Sequence, residues 1–147
     1  MQQREARDRN VRRIEYMIRH EKQIAEAVEE ARLSVFGQPE IPSGGSAISK
    51  PTEAMAIRLA DELSEVSVDG RPIERPERWL KVISAVREWC GQDTIRKEIF
   101  RRRYSGEGYI KTCYALHIAQ ATYSVILFEI RNYALQCACQ MQLIKVF

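Results

Sequence analysis

Ile14, Met17, Ile24, Val28, Ala31 and Val35 recur about three and four residues apart through an otherwise charged stretch. That spacing predicts one long helix over residues 4–36 with an apolar stripe along one side. Glu21 interrupts the stripe, and Ile18 and Ala25 widen it beyond a strict coiled-coil seam. The width favours packing onto the rest of the domain and leaves dimerisation open. A Gly-, Pro- and Ser-rich stretch, Gly37 to Lys50, then reads as a flexible linker, because it has too little apolar surface to bury.

Pro51 suits the first turn of a second helix, Thr52 to about Val66, with Met55, Leu59, Leu63 and Val66 on one side. Asp69-Gly70 is a turn signal that fits a small hairpin or an irregular loop equally well. Pro76 opens a third helix whose apolar positions Trp79, Val82, Ile83, Val86, Trp89 and Cys90 keep the helical period until Gly91. Asp93 can cap a fourth helix, to Tyr104, with Ile95, Ile99 and Phe100 facing inward. After a turn at Ser105 to Gly108, a short fifth helix runs to Leu116, and a last helix runs from about Gln120 towards Lys145. The expected fold class is all-α, about six helices, divided into a long N-terminal helix (1–36), a linker (37–50) and a helical domain (51–147).

Tyr109 to Ile126 carries the functional signal, a short helix, a tight turn and a second helix at helix-turn-helix spacing. Cys113, Leu116, Ile118, Tyr123 and Ile126 stand where such a motif needs small or apolar residues. His117 stands at the turn, where the backbone visits a left-handed conformation that His tolerates better than most residues. In this motif the first helix braces against the DNA backbone and the start of the second enters the major groove. The groove-facing positions are then Gln120, Ala121, Ser124, Val125 and Phe128, with Arg131 further along. Gln120 alone has the amide that reads adenine; Ser124 discriminates poorly, and Val125 and Phe128 can touch thymine methyls or be covered by another helix. Arg101, Arg102 and Arg103, with Lys111, supply phosphate contacts, although three consecutive arginines fan around a helix and cannot all face one strand.

Charge sharpens this picture. Residues 1–74 hold 11 Lys and Arg against 14 Asp and Glu, whereas residues 75–147 hold 12 against 6, so the positive excess lies where the motif lies. Cys90, Cys113, Cys137 and Cys139 form no CxxC pair, and with only His20 and His117 available no metal site and no cofactor are expected. Ser43-Gly44-Gly45-Ser46 lacks the Lys-Ser/Thr of a phosphate-binding loop, and neither histidine lies in a nucleophile motif, so no enzyme is expected. No apolar run approaches membrane-span length and the N-terminus is charged, which predicts a cytoplasmic protein.

Three segments resemble the RinA/ArpU group of phage and prophage late-gene regulators of Gram-positive bacteria, whose C-terminal portion looks like the helix-turn-helix of the fourth region of sigma factors. They are Ser49-Lys50-Pro51-Thr52-Glu53, the Ile99 to Tyr104 helix end, and Ala115-Leu116-His117-Ile118-Ala119-Gln120-Ala121-Thr122-Tyr123. The resemblance built on them covers about two-thirds of the chain, in the family's order. The resemblance implies a regulator acting at late promoters, with Thr122 matching the family's threonine and Gln120, Ala121 and Ser124 on the recognition helix. Ala119 departs from the serine that usually caps that helix, and Val125, Leu127 and Phe128 replace polar residues.

The expected partners are double-stranded DNA, a second copy of the chain in a homo-oligomer, and RNA polymerase. A competing reading is a protein-interaction module whose apolar last helix docks on polymerase or on itself. Another is the small terminase subunit of a phage, although those usually carry the motif early in the chain.

Overall fold

The computed structural model describes residues 2–37 and 61–145. Within them the chain is helical apart from one hairpin: α1 (Gln2–Arg19), α2 (Glu21–Gly37), β1 (Glu65–Val68), β2 (Arg71–Glu74), α3 (Pro76–Cys90), α4 (Thr94–Tyr104), α5 (Tyr109–Leu116) and α6 (Gln120–Gln140). The all-α expectation holds, with six helices among the described residues. The expected linker beyond Gly37, and the second expected helix from Thr52 to residue 60, lie outside the described residues. From Asp61 onward that stretch is not helical, and Val66 belongs to β1.

The expected long N-terminal helix is two helices. The break falls at His20, whose backbone N–H still donates to the Tyr16 carbonyl (3.0 Å) while its ring stacks on Tyr16 at 4.0 Å. The break has an organisational consequence. Met1–Glu21 clusters with Arg78–Phe147 in one compact unit, and Lys22–Glu77 forms another. The apolar stripe therefore serves two different cores, which a periodicity read along one rod does not reveal.

In the unit of residues 22–77, Asp69 and Gly70 both take positive φ (50° and 74°), as a two-residue turn of type I′ requires. The turn sets an antiparallel register in which Val66 faces Ile73 and Val68 faces Arg71. Strict alternation along β1 buries Val66 and Val68 and exposes Glu65 and Ser67, so the turn signal resolves as a hairpin. Arg32 of α2 donates to the Asp61 carbonyl (2.9 Å) and pairs with Glu77.

In the larger unit, α1 packs against α4 and α6, and α5 packs against both of those helices. Ile14, Met17 and Ile18 are buried, and at about 1.5–3 kcal/mol for each large side chain they are enough to dock α1. Trp79, Val82, Ile83, Val86 and Cys90 of α3 are buried as their period predicts, while Trp89 is half-buried and stacks on Tyr133 of α6 at 4.4 Å. Asp93 caps α4, accepting from the backbone N–H groups of Ile95 and Arg96 (3.0 and 3.1 Å). Ile99 and Phe100 are buried; Ile95, also expected inside, is exposed in the first turn although it stands one turn before Ile99 on the same side.

Candidate nucleic-acid interface

Three successive helices stop by the same device. At the ends of α4, α5 and α6, the residues Gly106 (φ 98°), His117 (φ 55°) and Gln142 (φ 60°) sit at positive φ. In each case the N–H of the following residue reaches back to a carbonyl five positions earlier: Glu107 to Arg102 (3.0 Å), Ile118 to Cys113 (3.1 Å) and Leu143 to Ala138 (2.9 Å). These are Schellman stops, which satisfy the last carbonyls of a helix and turn the chain sharply. The left-handed residue expected at His117 is therefore present, at φ 55° and ψ 44°.

The turn at His117 throws α6 off α5 at 109°, with three residues between the helices. That angle lies within the ~90–120° at which the two helices of a DNA-binding helix-turn-helix meet. Cys113 and Tyr123 are buried at the crossing, and Leu116, Ile118 and Ile126 are half-buried around it. Ala119 begins α6 from an extended backbone with no side-chain cap. The first turns of α6 are open: Gln120, Ala121, Thr122, Ser124 and Val125 are all exposed, Val125 by 58%. Lys111 is exposed on α5 beside Ile110 and Tyr114, the latter 84% exposed.

Further along, α1 crosses the same stripe of α6 and alters the expected site. Arg7 sits over the Phe128 ring at 4.9 Å and donates to Asn132 Oδ1 at 2.7 Å. Arg131 Nε donates to Glu15 Oε1 at 2.5 Å. Arg131 and Phe128, the latter still 52% exposed, are thus engaged by α1, and the other expected positions of α6 lie in solvent on its first turns.

The arginine run divides in the same way. Arg103 Nη2 donates to both oxygens of Glu15 (2.8 and 3.1 Å), a carboxylate whose side chain is only 9% exposed. Burial lowers the Arg103 pKa, but the hydrogen bonds to Glu15 and its negative charge act against burial, and the pKa is left raised. Arg102 joins Glu98 to Glu107, whose carboxylate also accepts from Thr112 Oγ1 (2.7 Å), so this chain ties the end of α4 to the start of α5. Arg101 is the most exposed of the three at 61% and, among the described residues, meets Glu98 alone, at 2.7 Å on its own helix. Of the cations expected at DNA, Arg103 and the groove-side Arg131 are spent on Glu15 and Arg102 on two glutamates, whereas Arg101 and Lys111 face solvent.

Folding also redistributes charge. The unit that carries the motif recruits the arginines of α1 and holds 17 Lys and Arg against 9 Asp and Glu, a net of +8, while residues 22–77 hold 6 against 11. The two halves of the sequence do not show this charge, because α1 is remote in sequence from the helices it packs against. Burial holds the Cys90 thiol up at about 11 despite Arg96 nearby, which makes it an inert core residue. Among the described residues no cluster of His, Cys, Asp or Glu could hold a metal ion, and no helix is long and apolar enough to cross a membrane.

No family model matches the chain, and neither a curated protein nor a solved structure is significantly similar to it.

Proposed function

We propose that this chain is a DNA-binding transcription regulator of the late-gene type that its RinA/ArpU-like motifs imply, with α6 as the recognition helix. The observation that carries the reading is the 109° α5–turn–α6 crossing with Gln120, Ala121, Thr122, Ser124 and Val125 exposed on the leading turns of α6. The +8 charge of the same unit supports it, because phosphate neutralisation drives such binding. Gln120 is the one side chain there suited to bidentate base contact, with Ser124 and Thr122 adding single hydrogen bonds. Specificity is then modest for a single copy, and a homo-oligomer reading repeated half-sites would raise it. The test is fluorescence anisotropy with duplexes from late promoters of its own genome. Affinity should fall by a factor of ~10³ or more between 50 and 200 mM salt if six phosphates are contacted. Gln120→Ala should lower the preference for the best duplex, and a salt-independent signal or none at all would overturn the reading.

A second reading is favoured by one observation: Ile110, Tyr114 and Val125 form exposed apolar surface on the same two helices. Exposed aromatic surface of this kind suits docking on a protein such as RNA polymerase. Tyr114→Asp separates the two readings, since loss of polymerase binding with DNA affinity retained supports the docking role.

A further inference from the structure

The far end of α6 carries a feature that the helix-turn-helix does not use. Gln142, at φ 60°, turns the chain back after α6, and Leu143 and Ile144 are buried. The turn leaves a cleft of about 450 Å³ between this segment and α1. Its charged lining residues are Arg9, Arg13 and Lys145, joined by the amides of Asn10 and Gln142, and no carboxylate lines it. Arg9, Asn10 and Arg13 share one face at helical spacing; Glu5 stands one turn before Arg9 on that face without lining the cleft, and Asp8 falls on another side.

Part of this positive charge has a structural explanation. Arg13 Nη1 donates to the Leu143 carbonyl at 3.4 Å with its guanidinium 5.3 Å from the Trp79 ring, and Arg78 donates to the Met141 carbonyl at 2.9 Å. These contacts answer the negative C-terminal end of α6. They do not account for Arg9 and Lys145, which are exposed and have no carboxylate partner among the described residues. Three cations lining one open cleft, with the Asn10 amide and no carboxylate among its lining residues, match the donor set of a phosphate site. The strained backbone of Gln142 is what brings Lys145 to it, and strain of this kind persists where the surrounding structure holds it.

We infer that Arg9, Arg13 and Lys145 form a phosphate-binding cleft, separate from the recognition surface. α6 is 21 residues long, so the cleft lies about 30 Å from the exposed Gln120 end. That distance puts it beyond the groove α6 would enter. The ligand chemistry is a phosphate group, supplied by the backbone of a flanking DNA segment or by free phosphate. The assignment stands independently of the helix-turn-helix reading.

The test uses the full chain. Amide signals of Asn10, Leu143 and Lys145 are followed by NMR during titration with inorganic phosphate, with chloride holding ionic strength constant. Saturable shifts are expected in the wild type, and at least a tenfold loss of phosphate affinity in Arg9→Ala/Lys145→Ala, with Arg9→Lys retaining binding. Both truncated side chains are exposed, so the melting temperature should not move. Shifts that chloride alone reproduces, or that survive in the double variant, overturn the cleft. A second arm measures duplex DNA affinity against salt. A fall of about 1–2 in the logarithmic salt slope of the double variant assigns the cleft to DNA phosphates, and an unchanged slope with phosphate binding intact assigns it to free phosphate. If the wild type binds no DNA at all, the helix-turn-helix reading fails while the NMR arm still decides the cleft.

Discussion

Glu15 of α1 and Arg103 of α4, 88 residues apart in sequence, share two hydrogen bonds at 2.8 and 3.1 Å, and Arg131 of α6 joins the same carboxylate. One buried acid therefore ties three helices together. Removing one partner of such a group leaves the others uncompensated, a loss that reaches ~3–5 kcal/mol when burial is complete. Arg103 and Arg131 keep 20% and 32% side-chain exposure, so water softens the effect. Glu15→Ala is expected to destabilise the chain by about 2–3 kcal/mol, read as a lower urea midpoint with an unchanged slope.

Arg101 and Arg103 should separate cleanly in binding experiments. Arg101→Ala removes a largely exposed side chain whose pair with Glu98 is screened by solvent. It should leave stability nearly unchanged while lowering the logarithmic salt slope of DNA binding by about 0.9 if that arginine meets a phosphate. Arg103→Ala should instead lower the melting temperature. A variant with all three arginines replaced confounds the two effects.

Ala119 starts α6 without a side-chain acceptor for its first N–H groups. Ala119→Ser adds one and should stabilise the chain by about 1 kcal/mol, visible as a raised melting temperature. The extended backbone already present there (φ −71°, ψ 153°) is the one a capping serine uses.

His117 is exposed at φ 55°. A β-branched residue fits that region worse than histidine does, so His117→Val should cost about 1–2 kcal/mol. His117→Gly should be tolerated within ~1 kcal/mol, because relief of strain offsets the added freedom of the unfolded chain. Urea unfolding of both variants measures the difference.

Acid should weaken the junction between α4 and α5. The hydrogen bond from Thr112 and those from Arg102 hold the Glu107 carboxyl below its ordinary value of 4.5, and Arg101 and Arg102 do the same for Glu98. A carboxylate with a depressed folded-state pKa contributes stability that is fully present above its unfolded value and is lost as pH falls through the folded one. The stability difference between wild type and Glu107→Gln should therefore hold steady from pH 7 down to about 5 and shrink below pH 4.5. Chemical denaturation across that range gives the comparison.

Local chemistry was legible in the chain wherever a few neighbouring residues decide the outcome. The limits of α3, α4 and α5, the Asp93 cap, the left-handed turn at His117 and the start of α6 all follow from periodicity, capping and backbone sterics within one or two turns. The all-α class follows from the same signals. Tertiary structure decided what depends on partners far away in sequence. It broke the N-terminal rod at His20, resolved Asp69-Gly70 as a hairpin, and drew α1 with its arginines onto the motif. It also committed Arg103 and Arg131 to Glu15 and left Arg101 in solvent, a division that three identical letters in a row do not encode. An arginine's role is set by whether a carboxylate waits across the core, and only the folded packing brings that carboxylate within hydrogen-bond reach.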